Sequence, residues 1–482
     1  MVTKLKIKLK NKIDSVSAPA KASFWFTICS IVNKCIQFIT VPIFTRMLST
    51  AEYGQYSVFI SWQSIIIIIA TMNLYSNVFN NGLLKYNDNR KSFLSSLQGL
   101  TTTITIALMI VFWLFQKIIV SFIGLPIFII ELLLIEVLLM PGFEFWAADQ
   151  RFDYKYKKTI SVTLMVATLN PLLGLLFVYI SSEKGYARII SVLTAEIVVY
   201  IVLYIYNFIK GKLFFDIKYW KYALCLGVPL IPHYISQVLL NQMDRIMISS
   251  IIGTAQAGIY SVAYSAAFVL QFVGKAIQNS FTPWIYKKIK ANEVDDIKPT
   301  VNVLVVLVAG INLLLICFAP EVIFILGGRK YSDAIHIVPP VAASTYLIFI
   351  YSMFCVIEFY YEKTKAMTIV SVSGALINYI TNYIFIRMFG YFAAGYTTLF
   401  SYLYFTVIHY FVMRKALRSN GYKDNIYDMK FIGILSVVFI IFSILINFVY
   451  TYIVVRYSIL FVIFMIMLIK RNIIKRILSK SK

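Results

Sequence analysis

Three long apolar segments of this chain carry ionisable and amide side chains at helical spacing. Steps of three and four residues place each set on one face of a helix. Within a bilayer such a face must line a wet cavity or contact another helix, because lipid offers polar groups no partner. The three stripes are Thr27, Ser30, Lys34 and Gln37; His233, Gln237, Asn241 and Asp244, with Arg245 next in sequence; and Gln271, Lys275, Gln278 and Thr282.

Each stripe has both a structural and a functional interpretation. Serine, threonine and glutamine routinely join membrane helices, so these residues alone favour packing. Lys34 and Lys275 favour a binding cavity, because an ammonium group far from the membrane surface needs an anionic partner. No carboxylate lies one helical turn from either lysine, although a distant one could pair with them. Asp244 and Arg245 could neutralise each other or a neighbour.

Acidic side chains at membrane depth are candidates for coupling to an ion gradient. Besides Asp244, the acidic candidates within the apolar segments or near their ends are Glu136, Glu196, Glu144 and Glu358. Glu136 and Glu196 lie deepest, where a carboxylate can accept a proton or Na⁺ or neutralise a cation. His233 could join a proton relay, although a lone membrane histidine more often packs through hydrogen bonds.

The composition places most of the chain in a membrane. The 482 residues are 60% hydrophobic and 14% charged, whereas soluble proteins are about 45–50% apolar and about 25% charged. Because about 20 apolar residues cross a bilayer, the sequence predicts an all-α polytopic protein with about 14 transmembrane helices.

The connections between these helices are too short to fold as separate domains. They contain no phosphate-binding loop, no zinc-protease motif and no recognisable acid–base or nucleophile set. We therefore predict a transporter and not an enzyme.

The net charge of +24 follows a topological pattern. Lysine and arginine concentrate in the N-terminal segment, in every second connection and in the C-terminal tail. This alternation places both termini in the cytoplasm and requires an even number of spans across the inner (cytoplasmic) membrane. Attraction to membrane lipids then accounts for the charge without a nucleic-acid partner. The five cysteines all lie in apolar segments without a C-x-x-C motif, so we predict neither a disulfide framework nor a metal site.

A ten-residue motif occurs twice in the chain. Residues 49–58 (STAEYGQYSV) and 253–262 (GTAQAGIYSV) are identical at Thr, Ala, Gly, Tyr, Ser and Val positions. The copies follow the first and seventh predicted helices, so the two halves share one orientation and form a parallel pseudo-twofold repeat. We predict an outer gate in which two prolines bend the seventh helix. The predicted gate residues are Gly54, Tyr56, Pro229, Pro232, Gly258 and Tyr260.

The predicted organisation has five parts. A basic cytoplasmic segment (1–21) precedes an N-terminal lobe of six helices (22–209). A cytoplasmic linker (210–221) leads to a C-terminal lobe of six helices (222–415), and two further helices with a basic cytoplasmic tail complete the chain (416–482).

Several motifs resemble those of Wzx-type flippases for polysaccharide repeat units. In order and spacing they cover nearly the whole chain: residues 42–56, 229–232, 241–248, 258–264 and 327–334. The resemblance implies a superfamily that also contains multidrug extruders and the lipid II flippase, with two six-helix lobes around a central cavity. It further implies alternating access that moves undecaprenyl-diphosphate-linked oligosaccharides outward for O-antigen or capsule synthesis. The implied energy source is an H⁺ or Na⁺ gradient, with no bound cofactor, and polysaccharide polymerase machinery is an implied partner.

The cationic cavity of that family corresponds best to Lys34, Arg46, Arg245 and Lys275. The amides Gln37, Asn241, Gln271 and Gln278 would contact sugar, and Asp244, Glu196, Glu136 and His233 are the ion-coupling candidates. Two other functions stay open. One is a cation-coupled multidrug extruder of the same fold, for which an acidic, aromatic cavity would be expected. The other is a membrane glycan polymerase or ligase.

Overall fold

The computed structural model describes residues 17–422, 424–462 and 465, and every regular element in them is helical. These residues form two compact units. Unit 1 contains the described residues up to Leu48 together with Val58–Ile235, and unit 2 contains Ser49–Ser57 and the described residues from Ser236 onward. All but the last residue of the first copy of the repeated motif are therefore part of unit 2, although most of the chain around it belongs to unit 1.

Unit 1 is a bundle of helices in which α6 and α8 share the largest packing surface and α7 also packs on α8. Helix α2 begins in unit 2 and continues into unit 1. The helices are α1 (Ala18–Met47), α2 (Thr50–Thr71), α3 (Asn77–Lys85), α4 (Arg90–Leu114), α5 (Gln116–Ile123), α6 (Ile127–Phe152), α7 (Tyr156–Ile180), α8 (Lys184–Gly211) and α9 (Ile217–Gly227).

Unit 2 is organised around one buried helix, α14, which packs most extensively on α16 and also contacts α11, α12 and α17. Its helices are α10 (Ile231–Ile251, which begins in unit 1), α11 (Thr254–Lys290), α12 (Ile297–Cys317), α13 (Ala319–Gly327), α14 (Val338–Tyr360), α15 (Thr364–Phe389), α16 (Ala393–Ser419) and α17 (Met429–Leu445). Short 3₁₀ turns lie at Asn87–Asn89, Val228–Leu230, Arg329–His336 and Ile446–Phe448.

Helix length and composition identify a multi-pass membrane protein. Among the described residues, 11 helices are long and apolar enough to span a membrane, or up to 12 if the bent pair α5–α6 counts as one span. The 27-residue α16 is long enough but less apolar, and a short helix at Ile453–Val462 leads out of the described range. The all-α fold is confirmed, and the count of 14 spans stays a prediction.

Local sequence explains where α2 begins. The Ser49 backbone N–H donates to Glu52 Oε2 at 2.7 Å, and the Glu52 N–H donates to Ser49 Oγ at 3.2 Å. This reciprocal capping box satisfies two of the backbone donors that a helix start leaves without a partner. In the second copy Gly253 occupies the corresponding position before α11, with a φ of 149° that disfavours other residues.

Candidate functional site

The carboxylate of Asp244, on α10, lies at the centre of a buried polar cluster in unit 2. It accepts hydrogen bonds from Tyr260 Oη at 2.5 Å, Asn382 Nδ2 at 2.6 Å and Thr398 Oγ1 at 2.8 Å. These donors come from α11, α15 and α16, so one side chain joins four helices. All four side chains are at most 1% exposed.

A second layer of amide and hydroxyl groups surrounds this cluster. Thr397 donates a short hydrogen bond to Asn382 Oδ1, and Asn382 Nδ2 also approaches Asn378 Oδ1 at 3.2 Å. Asn378 Nδ2 in turn donates to Thr398 Oγ1 at 3.5 Å. Every hydrogen-bonding neighbour of the carboxylate is therefore uncharged.

Arg245 follows Asp244 in sequence but does not bond to it. Its guanidinium donates to the Asn241 carbonyl oxygen at 2.7 Å and to Gln242 Oε1 at 3.1 Å, and it stacks 4.4 Å from the ring centre of Tyr264. Successive helical residues point in different directions, so sequence adjacency does not bring the two charges into contact. Asp244 and Arg245 therefore do not form a direct ion pair with each other.

A buried carboxylate held only by neutral donors is costly to keep ionised. Hydrogen bonds offset part of the desolvation penalty, and a bound proton or cation would offset the rest. Asn382 presents its amide nitrogen to the carboxylate, while its Oδ1 accepts from Thr397. The Asp244 carboxylate oxygens are therefore the atoms of this cluster on which a proton or a hard cation would bind.

The two copies of the repeated motif contact each other through glycine. A Cβ atom added to Gly54 would lie 1.8 Å from the Thr254 carbonyl oxygen, and one added to Gly258 would lie 2.2 Å from the Thr50 carbonyl oxygen. Each added Cβ would also approach the backbone nitrogen of the other glycine at 3.0 Å. The contact is reciprocal and joins backbone to backbone, which explains why both positions are glycine.

The second copy links this contact to the carboxylate. Tyr260 lies two residues after Gly258 and is fully buried, whereas the equivalent Tyr56 is half-buried. The position that corresponds to Asp244 in the first half of the chain is Thr40, whose hydroxyl donates to the Gln37 carbonyl oxygen at 2.7 Å. The repeat is thus symmetric in its backbone contact and asymmetric in its charge.

Unit 1 brings together two of the predicted ion-coupling acids. Gln63 Nε2, on α2, donates to Glu136 Oε2 at 3.2 Å and to Glu196 Oε2 at 3.3 Å. Glu136 is 1% exposed and Glu196 is half-buried, and neither forms an ion pair with the described residues. Two carboxylates that share one amide repel each other when both are ionised, so this site favours holding a proton.

The α1 stripe divides into two parts. Thr27 and Ser30 donate to carbonyl oxygens one turn earlier in their own helix. Lys34 Nζ instead donates to Gln37 Oε1 at 3.0 Å, and Gln37 Nε2 donates to Asn33 Oδ1 at 3.3 Å. The Lys34 side chain therefore lies along its own helix, hydrogen-bonded to Gln37.

The α11 stripe contains a cation, Lys275, that no described residue neutralises. Lys275 is exposed and makes no hydrogen bond or ion pair with any described residue. The next two polar residues of the stripe form hydrogen bonds with backbone carbonyl groups. Gln278 Nε2 donates to the Ser352 carbonyl oxygen of α14 at 3.3 Å, and Thr282 donates to the Gln278 carbonyl oxygen of its own helix at 2.8 Å. Gln271 is half-buried beside Tyr264.

Other predicted residues lie apart from the Asp244 cluster. Arg46 is exposed and donates to the Pro42 carbonyl oxygen at 2.7 Å. His233 lies eleven residues before Asp244, which is about 16 Å along a helix, and it contacts the ring of Tyr234. Pro229 lies in the 3₁₀ turn between α9 and α10, and Pro232 is the second residue of α10.

Three groups of functional interest were not singled out from the sequence. Asn382 and Thr398 complete the Asp244 cluster, and the i, i+4 pair Asn378 and Asn382 in α15 was a usable signal. Gln63 joins the two glutamates. Glu358, already an acidic candidate from the sequence, joins Cys355 and His409 in a buried cluster between α14 and α16 that the sequence did not indicate.

Comparison with known proteins decides the family. The sequence profile described as polysaccharide biosynthesis protein matches residues 43–336, which is more than half of the chain. The chain belongs to the polysaccharide biosynthesis protein family. The matched range includes both copies of the repeated motif, Asp244 and the α11 stripe.

Relatives and solved structures extend this family assignment to the fold. This chain is 22% identical to the Lsg locus protein 1 of Haemophilus influenzae over 371 residues, which cover 74% of this chain and 88% of that protein. Its fold is similar to that of the lipid II flippase MurJ in an inward closed conformation, with a TM-score of 0.60, 16% identity, and coverage of 91% and 100% of the two chains. It is also similar to an inward-facing multidrug resistance MATE transporter, with a TM-score of 0.64, 12% identity, and coverage of 83% and 100%.

Proposed function

We propose that this protein is a flippase that moves undecaprenyl-diphosphate-linked oligosaccharide repeat units across the cytoplasmic membrane for surface polysaccharide synthesis. Membership of the polysaccharide biosynthesis family and a fold similar to those of MurJ and MATE transporters support this function. The observation that carries the substrate class is Lys275, an exposed cation on a polar helix face that makes no hydrogen bond or ion pair with the described residues. A diphosphate leaving water needs such cations, because its charge is otherwise costly to bury.

The remaining substrate contacts follow from the same stripes. Arg245 and Lys34 are further cations on the polar faces, and helices α10, α11 and α1 present Asn241, Gln271 and Gln37 as sugar partners. Arg245 is pre-positioned, because its stacking on Tyr264 and its backbone hydrogen bond hold the guanidinium in place. The polyprenyl tail would stay in the lipid phase while the polar head crosses.

An ion gradient supplies the energy in this proposal. A proton or Na⁺ at Asp244 would neutralise the carboxylate and change its demand on the Tyr260 hydroxyl. Transport then requires that the ion and the substrate bind with different affinities to the inward-open and outward-open states. The Glu136–Gln63–Glu196 group is a second candidate for the same role.

The proposed orientation places both termini in the cytoplasm and both copies of the repeated motif on the outer side. The backbone contact between Gly54 and Gly258 then lies at the outer end of the transport path. We assign it the role of an outer gate, whose neighbour Tyr260 bonds directly to the coupling carboxylate.

The test replaces Lys275 in a strain that depends on this gene for surface polysaccharide. Lys275→Ala should reduce surface polysaccharide at least tenfold, which corresponds to about 1.4 kcal/mol, while Lys275→Arg should retain most of it. Lys298→Ala, which removes an exposed lysine outside the stripes, serves as the matched control. Normal polysaccharide with Lys275→Ala at wild-type protein level would overturn the assignment of this cation.

The same strain separates the two alternative functions. A deletion that sensitises cells to organic cations without changing polysaccharide would indicate a multidrug extruder. Normal delivery of single repeat units to the outer leaflet with loss of chain extension would indicate a polymerase or ligase.

A further inference from the structure

Cys355, Glu358 and His409 form a compact cluster of metal-ligand atoms in unit 2. All their ligand atoms lie within 4.8 Å of one another. His409 Nδ1 is 3.0 Å from each carboxylate oxygen of Glu358 and 3.5 Å from Cys355 Sγ. The three side chains are 7%, 0% and 2% exposed, in the order Cys355, Glu358, His409.

We propose that this cluster is a Zn²⁺ site that joins α14 to α16. A tetrahedral ion about 2.0–2.1 Å from nitrogen and oxygen and about 2.3 Å from sulfur separates its ligand atoms by roughly 3.3–3.6 Å. The observed separations of 3.0 Å and 3.5 Å are close to these values. Small side-chain rotations would therefore admit the ion.

The helices pre-position the ligands. Cys355 and Glu358 are three residues apart on α14, so they point from the same helix face. The imidazole of His409 packs against two aromatic rings, with centroid distances of 5.4 Å to Tyr351 and 5.8 Å to Phe405. These ring contacts restrict the imidazole, whose Nδ1 faces the other two ligands.

The chemistry of the ligands selects the metal. A thiolate, an imidazole and a carboxylate suit Zn²⁺, whereas Mg²⁺ and Ca²⁺ prefer oxygen ligands alone. The thiolate and carboxylate charges together balance the charge of one divalent ion, so the occupied site adds no net charge to a buried region. Binding displaces the thiol proton to solvent, along with any proton on Nδ1.

The number of ligands indicates an exchangeable site. Three protein ligands leave a coordination position open, unlike the closed four-ligand sites that serve a purely structural role. The proposal does not depend on what the protein transports.

The experiment measures metal binding by the purified full-length chain in detergent, with a tag that lacks histidine and cysteine. Cys35 and Cys225, the two exposed cysteines, are replaced by serine to remove competing thiols. After treatment with a chelator, Zn²⁺ should bind at one ion per chain and raise the melting temperature. Co²⁺ substitution should give the near-ultraviolet absorption of a thiolate–cobalt bond.

Cys355→Ser is the decisive variant, because it keeps the Glu358–His409 hydrogen bonds and should fold. It should abolish the thiolate–cobalt absorption and weaken Zn²⁺ binding at least about tenfold, the low end of the loss seen even for outer partners of metal ligands. Cys317→Ser removes another buried cysteine outside the cluster and should change neither signal.

Two results would overturn the proposal. One is Zn²⁺ binding well below one ion per chain in the Cys35→Ser, Cys225→Ser protein. The other is equal Zn²⁺ affinity with and without Cys355, which would reduce the cluster to a Glu358–His409 hydrogen bond that joins two helices.

Discussion

The hydroxyl of Tyr260 donates to the carboxylate of Asp244 at 2.5 Å, from a position two residues after the glycine that contacts the other copy of the repeated motif. One short stretch of α11 therefore contacts both the proposed gate and the proposed coupling site. Any change in the charge of Asp244 acts on a hydroxyl that is fixed to the gate by a single helical turn.

Removing that hydroxyl should uncouple the two sites. Tyr260→Phe deletes a hydrogen bond to a charged group, worth about 1.5–3 kcal/mol, and leaves the ring packing in place. We expect a lower melting temperature and at least a tenfold loss of surface polysaccharide. Tyr56→Phe, at the equivalent position of the first copy, should have a smaller effect on both, and equal effects would contradict the proposed link.

Neutralising the carboxylate should abolish the response to an ion gradient. Asp244→Asn keeps the size of the side chain but removes the charge that an ion would balance. In proteoliposomes we expect substrate transport to lose its dependence on an imposed H⁺ or Na⁺ gradient. Asp333→Asn changes an exposed carboxylate of the same unit and should retain that dependence. Gradient-driven transport by Asp244→Asn would exclude this site as the coupling site.

Adding a methyl group to either contact glycine should open the proposed gate. A Cβ at 1.8 Å or 2.2 Å from a carbonyl oxygen forces the turns apart. Gly54→Ala and Gly258→Ala should therefore reduce transport and increase thiol labelling of a cysteine introduced at Thr50. Gly433→Ala is the control, since its added Cβ meets no atom within 4 Å. Unchanged labelling in both contact variants would show that the turns do not need this close approach.

Relieving the glutamate pair should stabilise the protein and alter its transport. Glu136→Gln removes the repulsion between two carboxylates that share the Gln63 amide. We expect an unchanged or higher melting temperature at neutral pH together with a changed pH dependence of transport. Glu131→Gln, on the same helix α6, should leave both properties as in the wild type. A lower melting temperature in Glu136→Gln would indicate that the pair is structural.

An ion network at the end of α6 should give stability that depends on acid pH. The hydrogen bond from Arg90, at 2.7 Å, outweighs desolvation and lowers the pKa of Asp153 to about 2, and Lys155 adds to the effect. Since the pKa in the unfolded chain is about 3.9, this stabilisation is complete above about pH 4 and disappears as the pH falls towards 2. Asp153→Asn should lower the melting temperature at pH 6, and the difference from wild type should shrink below pH 4. Asp88→Asn, an exposed acid outside the network, should show no such trend.

Composition and periodicity were sufficient to predict the all-α membrane fold, because a bilayer leaves helices few alternatives in length and polarity. The glycines of the repeated motif were also recognisable, since two matching turns in a parallel repeat have equivalent places. What periodicity could not provide was the partner of each polar face. The stripe of α10 identified Asp244, but only the packing of α15 and α16 shows that Asn382 and Thr398 hold it.

The charges show the same limit more sharply. Adjacent letters suggested that Asp244 could neutralise Arg245, yet the helix directs one side chain into the cluster and the other over Tyr264. Cys355 and His409 are 54 residues apart, so the cluster they form depends on two helices packing side by side. A sequence pattern shows which residues share a face, whereas their partners depend on tertiary packing.

The contact between Gly54 and Gly258 also constrains how this chain can diversify. A backbone-to-backbone contact recognises no particular side chain, so it places no demand on the chemistry of the cargo. Under the proposed function, residues along the polar stripes can therefore change to suit a new sugar while the proposed gate contact stays as it is. Substrate specificity and the proposed gate therefore depend on different residues. At Gly54 and Gly258 the contact requires only that no side chain be present.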